Sequence, residues 1–310
     1  MDGVINVYKP EGITSFDVVW KIRKLAHTKK VGHTGTLDPE ACGVLPICIG
    51  KGTKIVDYIM NGSKEYKALL RLGIVTDTYD REGKIISERD VKCTEQDAIE
   101  VIKGFIGEIA QIPPMYSALK VNGVRLYELA RKGIEIERKE RKITIFDIEI
   151  LEIKLPYVSF IVKCSKGTYI RSLCYDIGEK LKCGGAMWAL ERIKTSIFKA
   201  ENSVHLKDLT EDNIALNIVS IEEALAEYTA IILDVGFKKQ LLNGVSIYDK
   251  EFIKPLNKNE IYRVFLKENT FLGLDTLKEN KFLGLGVLQE NGFKMKKLLF
   301  QEWAYANFRR

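Results

Sequence analysis

The chain has 310 residues, 46% of them hydrophobic and 29% charged, with 24 glycines and 7 prolines. That length can bury one large core or two of unequal size, and the glycine and proline content is too low for a fibrous or low-complexity protein. The longest run without a charge, residues 109–119, contains two prolines and falls short of the ~18–20 apolar residues of a membrane span, so no transmembrane helix is expected. The N-terminus has no basic segment followed by an apolar one, so no secretory signal is expected either.

The six cysteines are scattered without a C-x-x-C pair, and His27, His33 and His205 are too dispersed to complete a zinc site. Reduced thiols, a cytoplasmic location and no bound metal are therefore expected. The net charge of +6 is uneven: six Lys/Arg against two acids in residues 9–30, and eight against four in residues 116–144. Two basic segments on a nearly neutral background suit a polyanion such as RNA, although solvated surface charge accounts for the pattern equally well.

In chain order, residues 4–8 read as a buried strand ended by Lys9-Pro10-Glu11-Gly12. Thr14 or Ser15 then caps a helix with an apolar stripe at Val18, Val19, Ile22 and Leu25. A glycine-rich loop, 31–39, precedes an apolar segment, 41–49, and a short helix, 53–60. Residues 65–74 alternate like a strand, followed by an acidic loop, 76–83, and a strand, 84–88. Thr94 with Asp97 resembles a capping box for a helix ending near Ile106. Val121-Asn122-Gly123-Val124 is a hairpin-type turn, and residues 125–132 read as a helix stopped by Gly133. Two alternating strands, 141–155 and 157–165, precede a helix from near Tyr169 to about Leu181. Strands and helices without regular alternation indicate an α+β unit on a mixed sheet. After Tyr228 the pattern changes to short strands, 231–235, 261–267, 282–289 and 293–300, which suggest a small appended β-barrel.

Taken singly, the candidate site residues are equivocal. The loop Gly32-His33-Thr34-Gly35-Thr36-Leu37-Asp38-Pro39 matches neither nucleotide-binding glycine pattern, and Asp38 before Pro39 reads as the N-cap and first residue of a short helix. Asp77, Asp80 and Glu82 miss the calcium-loop offsets and read as a solvated turn. Arg171 at a strand-to-helix junction opposes the helix dipole and invites a carboxylate or phosphate partner, whereas a lone arginine is more often simply exposed. Tyr66, on a strand, is more often core than ligand platform.

Taken together, these segments resemble the TruB family of tRNA pseudouridine synthases. The matching blocks are Tyr8 to Ser15, Gly32 to Pro39, Gly43 to Gly50, Glu65-Tyr66-Lys67 with Arg71-Leu72-Gly73, Thr76 to Asp80, Gln111 to Lys120 and Lys166 to Arg171. They occur in order and span residues 3–198; the likeness loosens after Tyr228, where the family carries a PUA-like module. The resemblance implies a pseudouridine-synthase fold, with a central mixed, largely antiparallel sheet, flanking helices and a PUA-like barrel. It divides the chain into a catalytic domain, 1–228, with a thumb-like insertion at about 116–144, and an RNA-binding domain, 229–310.

The implied activity converts uridine 55 of the tRNA T-loop to pseudouridine, without cofactor or metal, in a protein expected to be monomeric. Asp38 is then the catalytic carboxylate, whether it attacks the ribose, attacks the base or stabilises charge. Arg171 pairs with it, and Tyr66 stacks on the target uracil. His33 lies against the opened T-loop; Tyr169, Leu190 and Lys9 belong to or support the base pocket. Lys120, Arg125, Arg131, Lys132 and Arg141 become candidates for T-stem phosphate contacts. Glu191 and Ser196 depart from the family, where arginine and glycine respectively are frequent. Three rival readings are a guide-RNA-dependent synthase of the dyskerin type, an RNA chaperone with secondary catalysis, and thiol addition through Cys42 or Cys48. The thumb and the early first block favour stand-alone tRNA recognition, and the intact Asp38, Tyr66 and Arg171 set argues against a purely non-catalytic module.

Overall fold

The computed structural model describes residues 1–121, 123–272 and 275–299. The first strand, β1 (Gly3–Lys9), leads into α1 (Ser15–Leu25), and Thr14 with Asp17 forms a complete capping box at the helix start. Val18, Val19 and Ile22 supply the buried stripe. Next come β2 (Val31–His33), β3 (Cys42–Ile49), α2 (Val56–Asn61), β4 (Lys64–Leu72), β5 (Ile74–Thr76) and β6 (Ile85–Glu88). The expected Thr94–Asp97 box caps α3 (Glu95–Lys103), which is followed by β7 (Gly107–Gln111). The hairpin signal yields β8 (Lys120–Val121) and β9 (Val124–Arg125), with Asn122 of that turn outside the described residues, and then α4 (Leu126–Ala130). The long strands β10 (Arg141–Lys154) and β11 (Tyr157–Cys164) precede α5 (Ile170–Lys180) and β12 (Gly185–Thr195). Short pieces β13 (Phe198–Lys199), β14 (Val204–His205), β15 (Ile218–Val219) and α6 (Ile221–Ala224) complete this part.

The main sheet runs β14-β1-β3-β12-β4-β11-β10-β7, with β2, β13 and β15 paired at its flanks. Only β1 with β14 and β3 with β12 are parallel, so the sheet is mixed and largely antiparallel. Strand β4 alternates as its sequence does, burying Lys64, Tyr66, Ala68, Leu70 and Leu72 on one face. Helices α1, α3 and α5 share one core with that sheet, through Val18, Ile22, Ile102, Leu173 and Ile177 against Leu45, Ile47, Leu70 and Phe160. The second face of β3 supports another cluster, where Val4, Val44, Cys48 and Phe198 meet Leu285 and Leu299 of the C-terminal part.

That C-terminal part comprises β16 (Thr229–Leu233), α7 (Lys238–Leu242), α8 (Lys250–Ile253), β17 (Ile261–Leu272), β18 (Asp275–Gln289) and β19 (Gly292–Leu298). Its sheet order is β16-β17-β18-β19, with β16 and β17 parallel. Among the described residues this is a four-stranded sheet around Leu233, Leu241, Val264 and Phe293, where the sequence suggested a barrel. The last residue of the expected strand 293–300 lies outside the described residues, as do residues 301–310.

Candidate active site

The sequence-selected residues converge from the loop between β2 and β3, the start of α5, and strands β4 and β12. The loop is pinned on both sides of Asp38. Ser15 Oγ donates to the Leu37 carbonyl at 3.0 Å and accepts from the Leu37 N–H at 2.8 Å. Beyond Asp38, the Pro39 carbonyl accepts from Lys9 Nζ at 3.0 Å and from the Gly12 N–H at 2.9 Å. No helix follows Pro39: the segment closes as a turn, with the Ala41 N–H on the Asp38 carbonyl at 3.1 Å, and enters β3. The helix-cap expectation therefore fails, because the β1–β3 pairing and Lys9 claim these residues as strand and turn.

Lys9 is fully buried, and its ammonium donates to the carbonyls of Pro10, Ile13 and Pro39 at 2.8, 2.8 and 3.0 Å. Burial lowers its pKa to about 8, which still leaves it protonated at neutral pH, with each of its three donors matched. It acts as a clamp on the Asp38 loop rather than as a contact for anything entering the site.

Arg171, in the first turn of α5, is the centre of the arrangement. Its Nε and Nη2 grip Asp38 Oδ2 and Oδ1 at 3.0 and 3.2 Å, a two-point fork. Nη2 also donates to the Tyr116 carbonyl at 2.7 Å, and Nη1 donates to the Thr78 carbonyl at 3.4 Å and faces Asp80 Oδ2 at 3.5 Å. All five N–H groups thus have partners, and two carboxylates offset the unfavourable helix dipole. Asp80 comes from the acidic loop read as a solvated turn. Instead that loop folds inward: the Thr76 hydroxyl donates to the Asp80 carbonyl at 2.7 Å, and Tyr79, at φ 62°, stacks on Tyr175 with centroids 4.2 Å apart. The attraction of Arg171 for a second carboxylate is what the local sequence did not reveal.

Asp38 keeps 37% of its side-chain surface open, and protein crowds its other sides. This desolvation pushes its carboxyl above the ordinary 3.8; Arg171 opposes the rise, the Asp80 charge adds to it, and Lys9 opposes it. Tyr66 is buried beside it, its phenol pushed up by burial, with the Arg192 guanidinium pulling the other way. His33 accepts the Gly35 N–H on Nδ1 at 3.2 Å, and burial with the nearby Arg192 lowers its pKa, so the ring stays neutral. Tyr169 precedes α5, and its backbone is bridged by the buried Gln111 amide, at 2.8 Å to its N–H and 3.1 Å to its carbonyl. Leu190 lies buried on β12, opposite Ala68 of β4.

The proposed docking residues Lys120, Arg125, Arg131, Lys132 and Arg141 are all exposed. Arg125 and Arg131 flank the Tyr127 ring at 5.8 and 5.4 Å. Two other basic residues of the segment are engaged internally: Arg138 with the Pro113 carbonyl and Glu135, and Lys142 with Glu108. Both departures from the family also have local explanations. Ser196 sits at φ 53°, the left-handed region that favours glycine, and its hydroxyl donates to Glu227 at 2.7 Å. Glu191 accepts from the Tyr8 hydroxyl at 2.9 Å.

The model of the TruB family pseudouridylate synthase N-terminal domain matches residues 23–170, and that of the tRNA pseudouridylate synthase B C-terminal domain matches 171–231. The chain belongs to the TruB family of pseudouridylate synthases. It is 56% identical to the tRNA pseudouridine synthase B of Clostridium tetani (strain Massachusetts / E88), over 96% of this chain and 100% of that one. It is 58% identical to that of Clostridium novyi (strain NT), over 88% and 95%. Among solved structures, a chain of a Cbf5-Nop10-Gar1 complex superposes with a TM-score of 0.71 at 26% identity, covering 96% of this chain and 85% of the other. The mixed, largely antiparallel sheet with its flanking helices is thus the pseudouridine-synthase fold.

The two thiols weighed as nucleophiles are poor ones, and Cys48 faces the cluster on the other side of β3. Burial raises the pKa of Cys48 to about 12, and burial also raises that of Cys42, whose sulfur lies 3.5 Å from the Tyr8 hydroxyl. The sequence reading missed the pairing of Asp80 with Arg171 and did not single out Arg192. Position 192 lies two residues beyond Leu190 on the same strand, a spacing that places both on one face.

Proposed function

We propose that this chain converts uridine 55 in the T-loop of tRNA to pseudouridine, with Asp38 as the essential carboxylate. The observation that carries this reading is the two-point Arg171–Asp38 fork, which orients a carboxylate that is partly open inside the TruB-family fold. Uracil is detached from the ribose and rejoined through carbon, and the protein supplies orientation and charge while the folded RNA must surrender its base. Tyr66 receives the flipped uracil, with Tyr169 and Leu190 walling its pocket and His33 against the opened loop. The exposed cations Lys120, Arg125, Arg131, Lys132 and Arg141, on a thumb at about 116–144, contact T-stem phosphates. In this reading residues 1–228 form the catalytic domain and 229–310 a PUA-like RNA-binding domain.

Support for stand-alone tRNA recognition over a guide-RNA mechanism comes from the curated relatives, named tRNA pseudouridine synthase B at 56–58% identity, against 26% for the Cbf5 chain. The test is tritium release from uridine-labelled tRNA transcripts in the absence of any guide RNA, with the T-loop target uridine replaced in a control transcript. Release from the first and none from the second is expected. Equal release from both, or none without a guide RNA, overturns the assignment.

A further inference from the structure

The basic segment 9–30 is only partly used by the site. Lys9 clamps the Asp38 loop, and Lys21 Nζ donates to the Leu206 carbonyl at 2.6 Å. The other four cations, Arg23, Lys24, Lys29 and Lys30, have no carboxylate partner among the described residues. The nearby acids are engaged: Glu11 with Arg81, Asp17 in its capping box, and Glu211 opposite His27 at 3.3 Å. The same stretch carries two aromatic side chains that the core does not use. Val18, Val19 and Ile22 of α1 face inward, whereas Phe16 and Trp20 stand one helical turn apart on its outer side, 58% and 53% exposed. Each is attended by a cation: the Arg23 guanidinium lies 5.5 Å from the Phe16 ring centroid, and the Lys24 ammonium 3.7 Å from that of Trp20.

Two large open rings with cations beside them add nothing to the core. They match the composition of surfaces that bind unpaired RNA, where bases stack on the rings and phosphates meet the cations. Placement says which RNA. Ser15, next to Phe16, is bonded to Leu37 of the Asp38 loop, and Arg23 Nη2 donates to the carbonyl of Val31, where β2 begins. Trp20 lies only ~8 Å along the helix axis from the Ser15 contact. The helix follows β1 and touches Leu206 beyond β14, at one edge of the main sheet. The proposed thumb leaves β7 and returns through β10 at the other edge, six strand spacings or roughly 30 Å from β1, with Tyr66 on β4 between them. An RNA held by its T-stem at the thumb, with its uridine at Tyr66, brings to α1 what lies beyond that arm.

We propose that the outer face of α1 is a second RNA-docking surface. On it Phe16 and Trp20 stack unpaired bases of the substrate tRNA from outside the T-arm, while Lys24, Lys29 and Lys30 meet the adjoining phosphates and Arg23 braces the Phe16 ring. This rests on the reading of the site and thumb given above. It gives α1 a role in selecting a whole tRNA over a bare T-arm and no part in the chemistry.

The test titrates the full chain with two RNA probes, a full-length tRNA transcript and the hairpin of its T-arm alone. The double variant Phe16→Ala/Trp20→Ala should bind the full-length transcript at least about tenfold more weakly, as the loss of two base stacks implies, and the hairpin within about twofold of the parent. Trp20→Tyr should keep the affinity of the parent and Trp20→Leu should not, because a base stacks on a ring and not on an aliphatic chain. Replacing Lys24, Lys29 and Lys30 with Gln should lower the log–log salt slope for the full-length transcript by roughly 0.7–0.9 per lost phosphate contact, again sparing the hairpin. Should the double alanine variant unfold, the Trp20→Tyr and Trp20→Leu pair decides alone. Equal affinities of parent and variants for full-length tRNA overturn the proposal and leave the face to a protein or lipid partner. Equal loss on both RNAs also overturns it, by placing the contact within the T-arm, and so does a Trp20→Leu chain that binds like the parent. A parent chain that binds neither RNA condemns the reading of the site and α1 with it; one that binds both, unaltered in every variant, condemns α1 alone.

Discussion

At the scale of single residues, the Asp38–Arg171 pair makes three demands that can be measured. Asp38→Asn keeps the size and the loop's backbone contacts but removes the charge; single-turnover rate should fall by at least ~10³–10⁴ with tRNA affinity retained. Turnover within tenfold of the parent would remove Asp38 from the chemistry. Arg171→Lys retains a charge but has three donors for five acceptors, and it cannot reproduce the two-point fork on Asp38. The carboxylate then loses its fixed orientation, and a loss of about 10²-fold or more in rate is expected. The third demand concerns pH. Because burial raises the Asp38 carboxyl above 3.8, protonation begins at a higher pH than in an exposed aspartate. Since the ionised form is the active one, kcat/KM should decline as pH falls through that raised value and stay flat above it. An acid limb at or below the ordinary 3.8 would show that the environment inferred for Asp38 is wrong.

At the scale of elements, the loop that carries Asp38 is set by a clamp rather than by its own conformational preference. Lys9→Met removes the donor shared by the Pro10, Ile13 and Pro39 carbonyls. The Pro39 carbonyl keeps the Gly12 N–H, but the Pro10 and Ile13 carbonyls lose this donor, so thermal unfolding should occur at lower temperature and turnover should fall with it. A variant as stable and active as the parent would show that the strand pairing alone holds the loop. The proposed thumb makes the opposite kind of prediction, because its five candidate cations are exposed. Replacing Lys120, Arg125, Arg131, Lys132 and Arg141 with Gln should weaken tRNA binding and flatten its salt dependence by roughly 0.7–0.9 in log–log slope per lost phosphate contact. Single-turnover rate at saturating tRNA should change little. Parallel salt plots with equal affinities would exclude the thumb as a clamp. Arg138 and Lys142 are left out of this set because their internal partners occupy them.

At the scale of the whole molecule, β3 joins the two sheets. Its Leu45, Ile47 and Ile49 enter the core beneath the helices, whereas Val44 and Cys48 face the cluster shared with Phe198, Leu285 and Leu299. That explains why the segment is apolar throughout instead of alternating: both faces are covered. Phe198 is buried at this junction, and Phe198→Ala should cost about 3–5 kcal/mol in equilibrium unfolding. A cost below 1 kcal/mol would mean that the junction contributes little to stability.

Local order was largely legible in the chain itself. The capping boxes at Thr14 and Thr94, the alternation of residues 65–72 and the hairpin at 121–124 are interactions between near neighbours, and each appears where its sequence signal stands. The matched motif blocks likewise singled out Asp38, Arg171 and Tyr66. Tertiary structure decided what those residues touch. Asp38 looked like a helix cap because the Asp-Pro pair suits one, yet strand pairing and Lys9 leave no room for a helix there. Asp80 looked solvated because its neighbours are acidic, yet Arg171, 91 positions later in the sequence, has one more face to fill than Asp38 can cover. Arg192 carried no signal of chemistry because an arginine in a strand is ordinarily exposed, and only its pairing opposite Tyr66 and Gly43 puts its charge in the interior. Backbone periodicity depends on residues a few positions apart, so the sequence contains it; the partner of a charge depends on which distant segments the fold brings together, and that is settled only when the sheet forms.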